Sequence, residues 1–140
     1  MFSHVLVPLD QSTAAEGALL LAEEIARLTG ARITLVTALT RLGVAESPEL
    51  RKIDELAQQR AELYLRKCAD RVRKSGVTEV HTEAQFGEPA EVITRLAGSA
   101  GADLIAISSH GMTGDRRYPL GSVALKVLTV AQCPVLVARA

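Results

Sequence analysis

Five short apolar runs alternate without a break with four helix-type patterns along this chain, and that alternation admits very few folds. Residues 5–9 form the first run, with Pro8 placed where a strand can end but not continue. Asp10, Gln11, Ser12 and Thr13 bring helix-start chemistry, with Thr13 and Glu16 at capping-box spacing. Ala14, Ala18, Leu21, Ala22, Ile25 and Leu28 then trace an apolar stripe that Gly30 ends. Residues 33–39, β-branched and apolar, make the second run. Pro48 opens a long helix in which Leu50, Ile53, Ala57, Ala61, Tyr64, Cys68 and Val72 recur every three or four positions, and its other face, Asp54 included, carries charges of both signs and reads as solvated. Val80, Thr82, Ala84 and Phe86 alternate with His81, Glu83 and Gln85, as in a strand near a sheet edge. A shorter helix follows Gly87, Glu88 and Pro89. Residues 104–107 give the fourth run, Val123, Ala124, Val127, Leu128 and Ala131 share one side of the last helix, and Val135–Ala138 closes the chain.

Strands joined through helices pair in parallel by default. The fold class that follows is α/β, a three-layer sandwich around a five-stranded, mainly parallel sheet. At 140 residues the chain suits one domain, residues 1–140, large enough to bury a core. Composition narrows function by exclusion. Aromatics are 3% of residues, so stacking on bases is disfavoured as a binding mode and the core must be built from Ala, Val, Leu and Ile. Sixteen basic and sixteen acidic side chains cancel without forming blocks, which argues against nucleic acid as a partner. Cys68 and Cys133 stand in no metal or redox spacing and read as small buried hydrophobes. The absence of a signal-type segment or an apolar run of about 18 residues predicts a soluble, cytoplasmic protein without a membrane partner.

Chemistry concentrates after the fourth run. Leu104 to Ile107 opens into Ser108, Ser109, His110, Gly111, Met112, Thr113 and Gly114, and nine residues separate Gly111 from Gly121, behind which Ser122 starts a helix. A helix N-terminus presents free N–H groups and a partial positive charge, so glycines and hydroxyls around it make a phosphate site. The alternative is a tight connection whose glycines only satisfy positive φ angles. In open parallel sheets ligands sit beyond the carboxyl ends of the strands where strand order reverses, and residues 8–12, 37–40 and 108–114 all emerge there. Pro8 and Asp10 would then face the glycine loop across one cleft. A carboxylate beside phosphates repels them unless it holds a divalent cation or bonds a ribose hydroxyl, so Asp10 has one of those uses or is a plain helix cap. His110 is either an acid or base beside a phosphate or a residue that orders the turn. The Gly-x-x-x-x-Gly-Lys-Ser/Thr loop of common ATPases is absent.

These residues resemble the universal stress proteins along nearly the whole chain. The nucleotide-binding branch of that family carries Gly, two residues, Gly, nine residues, then Gly followed by Ser or Thr, a register that falls here on Ser108, Gly111, Gly121 and Ser122, with serine in place of the first glycine. The segments Val5-Leu6-Val7-Pro8-Leu9-Asp10, Gly87-Glu88-Pro89-Ala90 and Cys133-Pro134-Val135-Leu136-Val137 also look like the family's. The resemblance implies a Rossmann-like sheet in the order 3-2-1-4-5, of the adenine nucleotide alpha hydrolase type. It implies a homodimer joined through Val135–Ala138, acting in stress response, and ATP in the switch-point cleft with at most slow hydrolysis. Mg2+ or Mn2+ is the candidate metal, with Asp10 the residue to hold it. By carry-over the nucleotide would meet Pro8, Asp10, the backbone at Ala38, Ser108, His110, Gly111, Gly114, Gly121, Ser122 and Val123. Ser108 leaves two outcomes open, since its side chain would crowd a nucleotide or donate to it. A nucleotide-free interaction module of the same fold is the alternative.

Overall fold

The computed structural model describes residues 1–42, 47–111, 117 and 119–139. Five strands, β1 (His4–Pro8), β2 (Arg32–Leu39), β3 (Val80–Phe86), β4 (Leu104–Ser108) and β5 (Val135–Ala138), alternate with four helices, α1 (Thr13–Thr29), α2 (Pro48–Lys74), α3 (Pro89–Ala100) and α4 (Ser122–Val130). The strands form one parallel sheet in the order β3-β2-β1-β4-β5.

The two-residue period of the strands sorts the core. Val5, Val7, Ile33, Leu35, Leu104 and Ala106 point to the face covered by α1 and α2. Leu6, Val36, Ile105 and Ile107 point to the face covered by α3 and α4. All ten are buried, as a parallel sheet covered on both sides requires. β3 lies at an edge with His81 and Glu83 exposed, as its alternation predicts. At the amino end of the sheet, the Asp103 carboxylate accepts from the Ser3 and His4 amides, and the His4 ring lies 2.7 Å from Thr34 Oγ1 and 3.1 Å from the Ala100 carbonyl. Burial pushes the His4 pKa down.

The helix faces differ from the stripes read in sequence. In α1 the core takes Ala15, Ala18, Leu19, Ala22 and Ala26, whereas Leu21 is 39% and Leu28 86% exposed. Alanine and leucine are so dense here that several faces are apolar, and the sheet selects one of them. The capping box expected from Thr13 and Glu16 does not form, and the cap lies one residue earlier. Ser12 is the cap, accepting from the Ala15 amide at 3.1 Å, and Thr13 is the first helical residue. Glu16 instead accepts from the Tyr64 hydroxyl at 2.8 Å and Arg71 at 3.0 Å, which ties α1 to α2. In α2, Asp54 is buried and accepts from the Leu42 amide, while Leu50 and Ile53 are exposed. A carboxylate met by a backbone donor can leave water where pattern alone would keep it solvated. In α4 the buried positions are Ala124 and Val127, and Leu128 is 40% exposed.

Candidate functional site

Strand order reverses between β1 and β4, whose outer neighbours are β2 and β5, so the connections leaving β1 and β4 diverge and open a crevice at the carboxyl edge. A cavity of about 630 Å3 lies there. Pro8, Leu9 and Asp10 line it from the end of β1, and Val36 and Ala38 from β2. The end of β4 contributes Ile107, Ser108, Ser109, His110 and Gly111, and the start of α4 contributes Gly121, Ser122, Val123 and Ala124. Every residue expected from the sequence at a nucleotide is therefore on this wall except Gly114, which with Met112, Thr113 and Arg116 falls outside the described residues.

The wall contributed by α3, Pro89 and Ile93, was missed in sequence. Its only signal was the Gly87-Glu88-Pro89-Ala90 segment, which carried the family resemblance and whose one polar side chain, Glu88, caps α3 and is not among the cavity-lining residues. Together with Val36, Ala38 and Ile107 these residues give the cavity apolar lining beside the polar groups of the loop. That division suits a ligand with one flat, weakly polar end and one anionic end.

The polar side is built from β4 outward. The Ser108 hydroxyl donates to the His110 carbonyl at 2.6 Å and lies 3.4 Å from the His110 amide, so it closes a turn on its own loop. Ser109 donates its amide to the Ala138 carbonyl, and its hydroxyl lies 3.1 Å from His110 Nδ1. His110 is buried, and its ring carbon Cδ2 lies close to Gly121. Asp10 turns back on its own segment, where Oδ1 accepts from the Ser12 amide at 3.0 Å and from the Ser12 hydroxyl. That Asx turn places Gln11 at φ 69, in the left-handed region where few residues other than glycine sit. Asp10 is thus not the cap of α1; it orients Ser12, which is.

The glycines work differently from the sequence reading. Neither Gly111 nor Gly121 has positive φ, which removes the alternative that they serve only turn geometry. A Cβ at Gly111 would stand 2.5 Å from Asp10 Oδ2, and one at Gly121 would stand 3.1 Å from the Ser109 carbonyl oxygen. Gly111 lets the loop after β4 approach Asp10, and Gly121 lets the start of α4 pack on that same loop. The Gly121 amide, expected to be unblocked, donates to the Ser109 carbonyl at 2.6 Å. The amides that follow in the first turn of α4, those of the cavity-lining Ser122, Val123 and Ala124, precede the first intrahelical donor, Leu125. Gly121 is the N-cap of α4 and among the described residues no side chain caps this helix, whereas Ser12, Ser47 and Glu88 cap the other three.

Among the described residues no group of three His, Cys, Asp or Glu side chains could hold a metal ion, and no helix is long and apolar enough to cross a membrane.

Comparison with known proteins converges on one family. A universal stress protein of Methanocaldococcus jannaschii is 34% identical over 144 aligned residues, spanning 99% of this chain and 83% of that protein. The structure of the universal stress protein UspA from Lactobacillus plantarum superposes with a TM-score of 0.88 at 26% identity, covering 99% of this chain and 98% of that one. The universal stress protein from Archaeoglobus fulgidus, solved in complex with dAMP, superposes with a TM-score of 0.70 at 27% identity, covering 98% and 97%. With the sequence profile of the universal stress protein family matching residues 1–139 and the sheet order agreeing, this chain belongs to the universal stress protein family.

Proposed function

We propose that the protein binds an adenine nucleotide, ATP in its working state, in the switch-point cavity, and acts as a dimeric regulatory module in the cytoplasmic stress response with at most slow hydrolysis. The observation that carries this reading is the first turn of α4, capped by a glycine and by no side chain among the described residues, on the wall of a cavity lined by both polar loop groups and apolar side chains. A volume of about 630 Å3 is within the range of small-molecule clefts. The dAMP complex of the Archaeoglobus fulgidus relative supports the adenine end. Phosphates would sit against the amides of Ser122 and Val123 with the Ser122 hydroxyl beside them, and adenine would lie against Ala38 and Ile93. Ser108 lends little support to a nucleotide-free module, since its hydroxyl is turned into the loop by the His110 carbonyl and the cavity remains beside it.

Asp10 is the carboxylate on the cavity wall able to meet a Mg2+ or Mn2+ ion carried by the phosphates, and one carboxylate plus phosphate oxygens is an ordinary magnesium environment. The protein supplies one oxygen donor in this arrangement, so the metal would arrive with the nucleotide.

The dimer reading rests on β5. It is an edge strand, and an edge presents unpaired backbone groups that template pairing with a second chain. Leu125 and Leu128 of α4 are exposed on one side of the sheet, and on the other α1 exposes Leu21 and Leu28 on the flank turned away from Glu16 and its α2 partners. The double substitution Leu125→Glu and Leu128→Glu should convert a dimer to a monomer in analytical ultracentrifugation. An unchanged mass would place the interface elsewhere. The nucleotide reading is tested by denaturing the purified protein, identifying what it releases by chromatography, and titrating it with ATP and AMP in a calorimeter. No released nucleotide together with no saturable heat would refute it.

A further inference from the structure

The cavity read as a nucleotide site is lined by one carboxylate, Asp10, and by no lysine or arginine among the described residues. A polyphosphate needs more positive charge than one helix terminus supplies, since the macrodipole is worth only about half a charge. Among the described residues a cation in position to contribute lies on α4. Lys126 lies four residues beyond Ser122 and three beyond Val123, so it stacks behind both cavity-lining residues on the same helix face. Helical side chains lean toward the N-terminus, which directs the Lys126 stem toward the cavity mouth.

Its amine does not hang free there. Lys126 Nζ lies 3.7 Å from Glu88 Oε1. Glu88 is the N-cap of α3, accepting from the Ala90 amide at 3.3 Å and the Glu91 amide at 3.0 Å, and it immediately precedes cavity-lining Pro89. The ion pair therefore joins the two helices that flank the cavity, at the end where both helices begin. The Glu91 amide, with further help from Ala90 and Lys126, holds the Glu88 carboxyl below the usual carboxylate range, so it is ionised near neutral pH.

We propose that Lys126 is a phosphate-binding residue held in reserve by Glu88, exchanging that carboxylate for the outer phosphates of a nucleotide seated on the first turn of α4. This rests on the nucleotide reading above and deepens it by naming what reads phosphate number. Both partners are substantially exposed, 62% for the lysine and 38% for the glutamate side chain, so the pair itself contributes little to stability and exchanges readily. A monophosphate reaches the amides of Ser122 and Val123 and leaves the pair in place. A longer phosphate chain extends toward the mouth and competes with Glu88 for the ammonium.

Calorimetric titration of the full chain with ATP and with AMP, in the presence of Mg2+ and at two salt concentrations, tests this. Lys126→Gln should weaken ATP binding by about five- to tenfold, the scale of one partly exposed charge-assisted contact, and flatten its salt dependence, with AMP changed less than twofold. Glu88→Ser keeps a good helix cap while removing the charge, and should tighten ATP by about two- to threefold. In the Lys126→Gln background that gain should shrink, because the ammonium it releases is gone. Matching thermal unfolding of the variants would show that the fold is kept. Wild-type protein that binds neither nucleotide refutes the nucleotide reading, and this inference with it. Wild-type protein that binds ATP while Lys126→Gln binds it equally well, or Glu88→Ser binds it more weakly, refutes only the role of Lys126.

Discussion

Helices α1 and α4 both begin at the carboxyl edge of the sheet and both contribute to the wall of the same cavity, yet their first turns are in opposite states. At α1 the start is closed, since Ser12 accepts from the Ala15 amide, Asp10 holds Ser12, and Glu16 stands in the first turn as a negative charge complementing the dipole. At α4 the start has a glycine cap, no acidic residue in its first turn and, among the described residues, no side-chain bond to that turn. A glycine cap in place of Ser, Thr, Asn or Asp costs a helix only a few tenths of a kcal/mol, so leaving this terminus without a capping side chain is cheap. The contrast separates a terminus built for stability from one left available to an anion.

Closing the open terminus should have the largest effect. Gly121→Asp puts a carboxylate at the start of α4, with a Cβ 3.1 Å from the Ser109 carbonyl oxygen, to which the loop must yield. It should lower nucleotide affinity by about 100-fold or more, chiefly through a like charge set within about 4 Å of a phosphate in a partly dry site. Gly121→Ala, with the same Cβ and no charge, should lose much less. Circular dichroism should report an intact helix content. Undiminished binding would mean that this turn is not where phosphate sits. Gly111→Ala comes next, because its Cβ would stand 2.5 Å from Asp10 Oδ2 and must drive that carboxylate into the crevice. An affinity loss of roughly tenfold in the same titration is expected, on the scale of one displaced polar contact.

Opening the closed terminus should act on stability instead. Ser12→Ala should cost about 1 kcal/mol in urea unfolding and leave nucleotide affinity within about twofold. A large affinity loss would show that Ser12 or the Asp10 it orients serves the ligand. The smallest effect is the pH dependence of the α1 anchor. The Tyr64 hydroxyl, more than the Arg71 guanidinium, holds the Glu16 carboxyl below its ordinary value of 4.5. The folded state thus favours the ionised form, and the stabilisation is complete above that value and lost as pH falls through the lower folded value. Wild type should exceed Glu16→Gln in stability at neutral pH, and the difference between the two unfolding curves should shrink as pH falls below the ordinary Glu16 value of 4.5.

The two termini also differ in how far they could be read without a structure. The open one was visible, because Gly121 followed by Ser122 and an apolar helical pattern requires only local knowledge. The closed one was displaced by a residue, because Ser12 and Thr13 are both competent caps and the choice between them is made where β1 releases the chain and Gln11 turns left-handed. Side-chain direction in α1 and α2 was similarly undetermined. A helix with apolar residues on most of its circumference has no unique buried face until a sheet is placed beneath it. Asp54 joined the core for the same kind of reason, since its amide donor at Leu42 comes from another part of the chain.

Sequence alone determined the alternation of elements, the parallel α/β architecture and the carboxyl edge at which a ligand would sit, because each follows from periodicities of two and 3.6 residues and from turn chemistry acting over a few positions. Tertiary structure alone decided which amides face the cavity. Gly121 spends its own on Ser109, α3 completes the apolar wall, and Glu88 reaches across to Lys126. Those outcomes depend on groups far apart in the chain meeting at hydrogen-bonding distance, and no local pattern records such meetings.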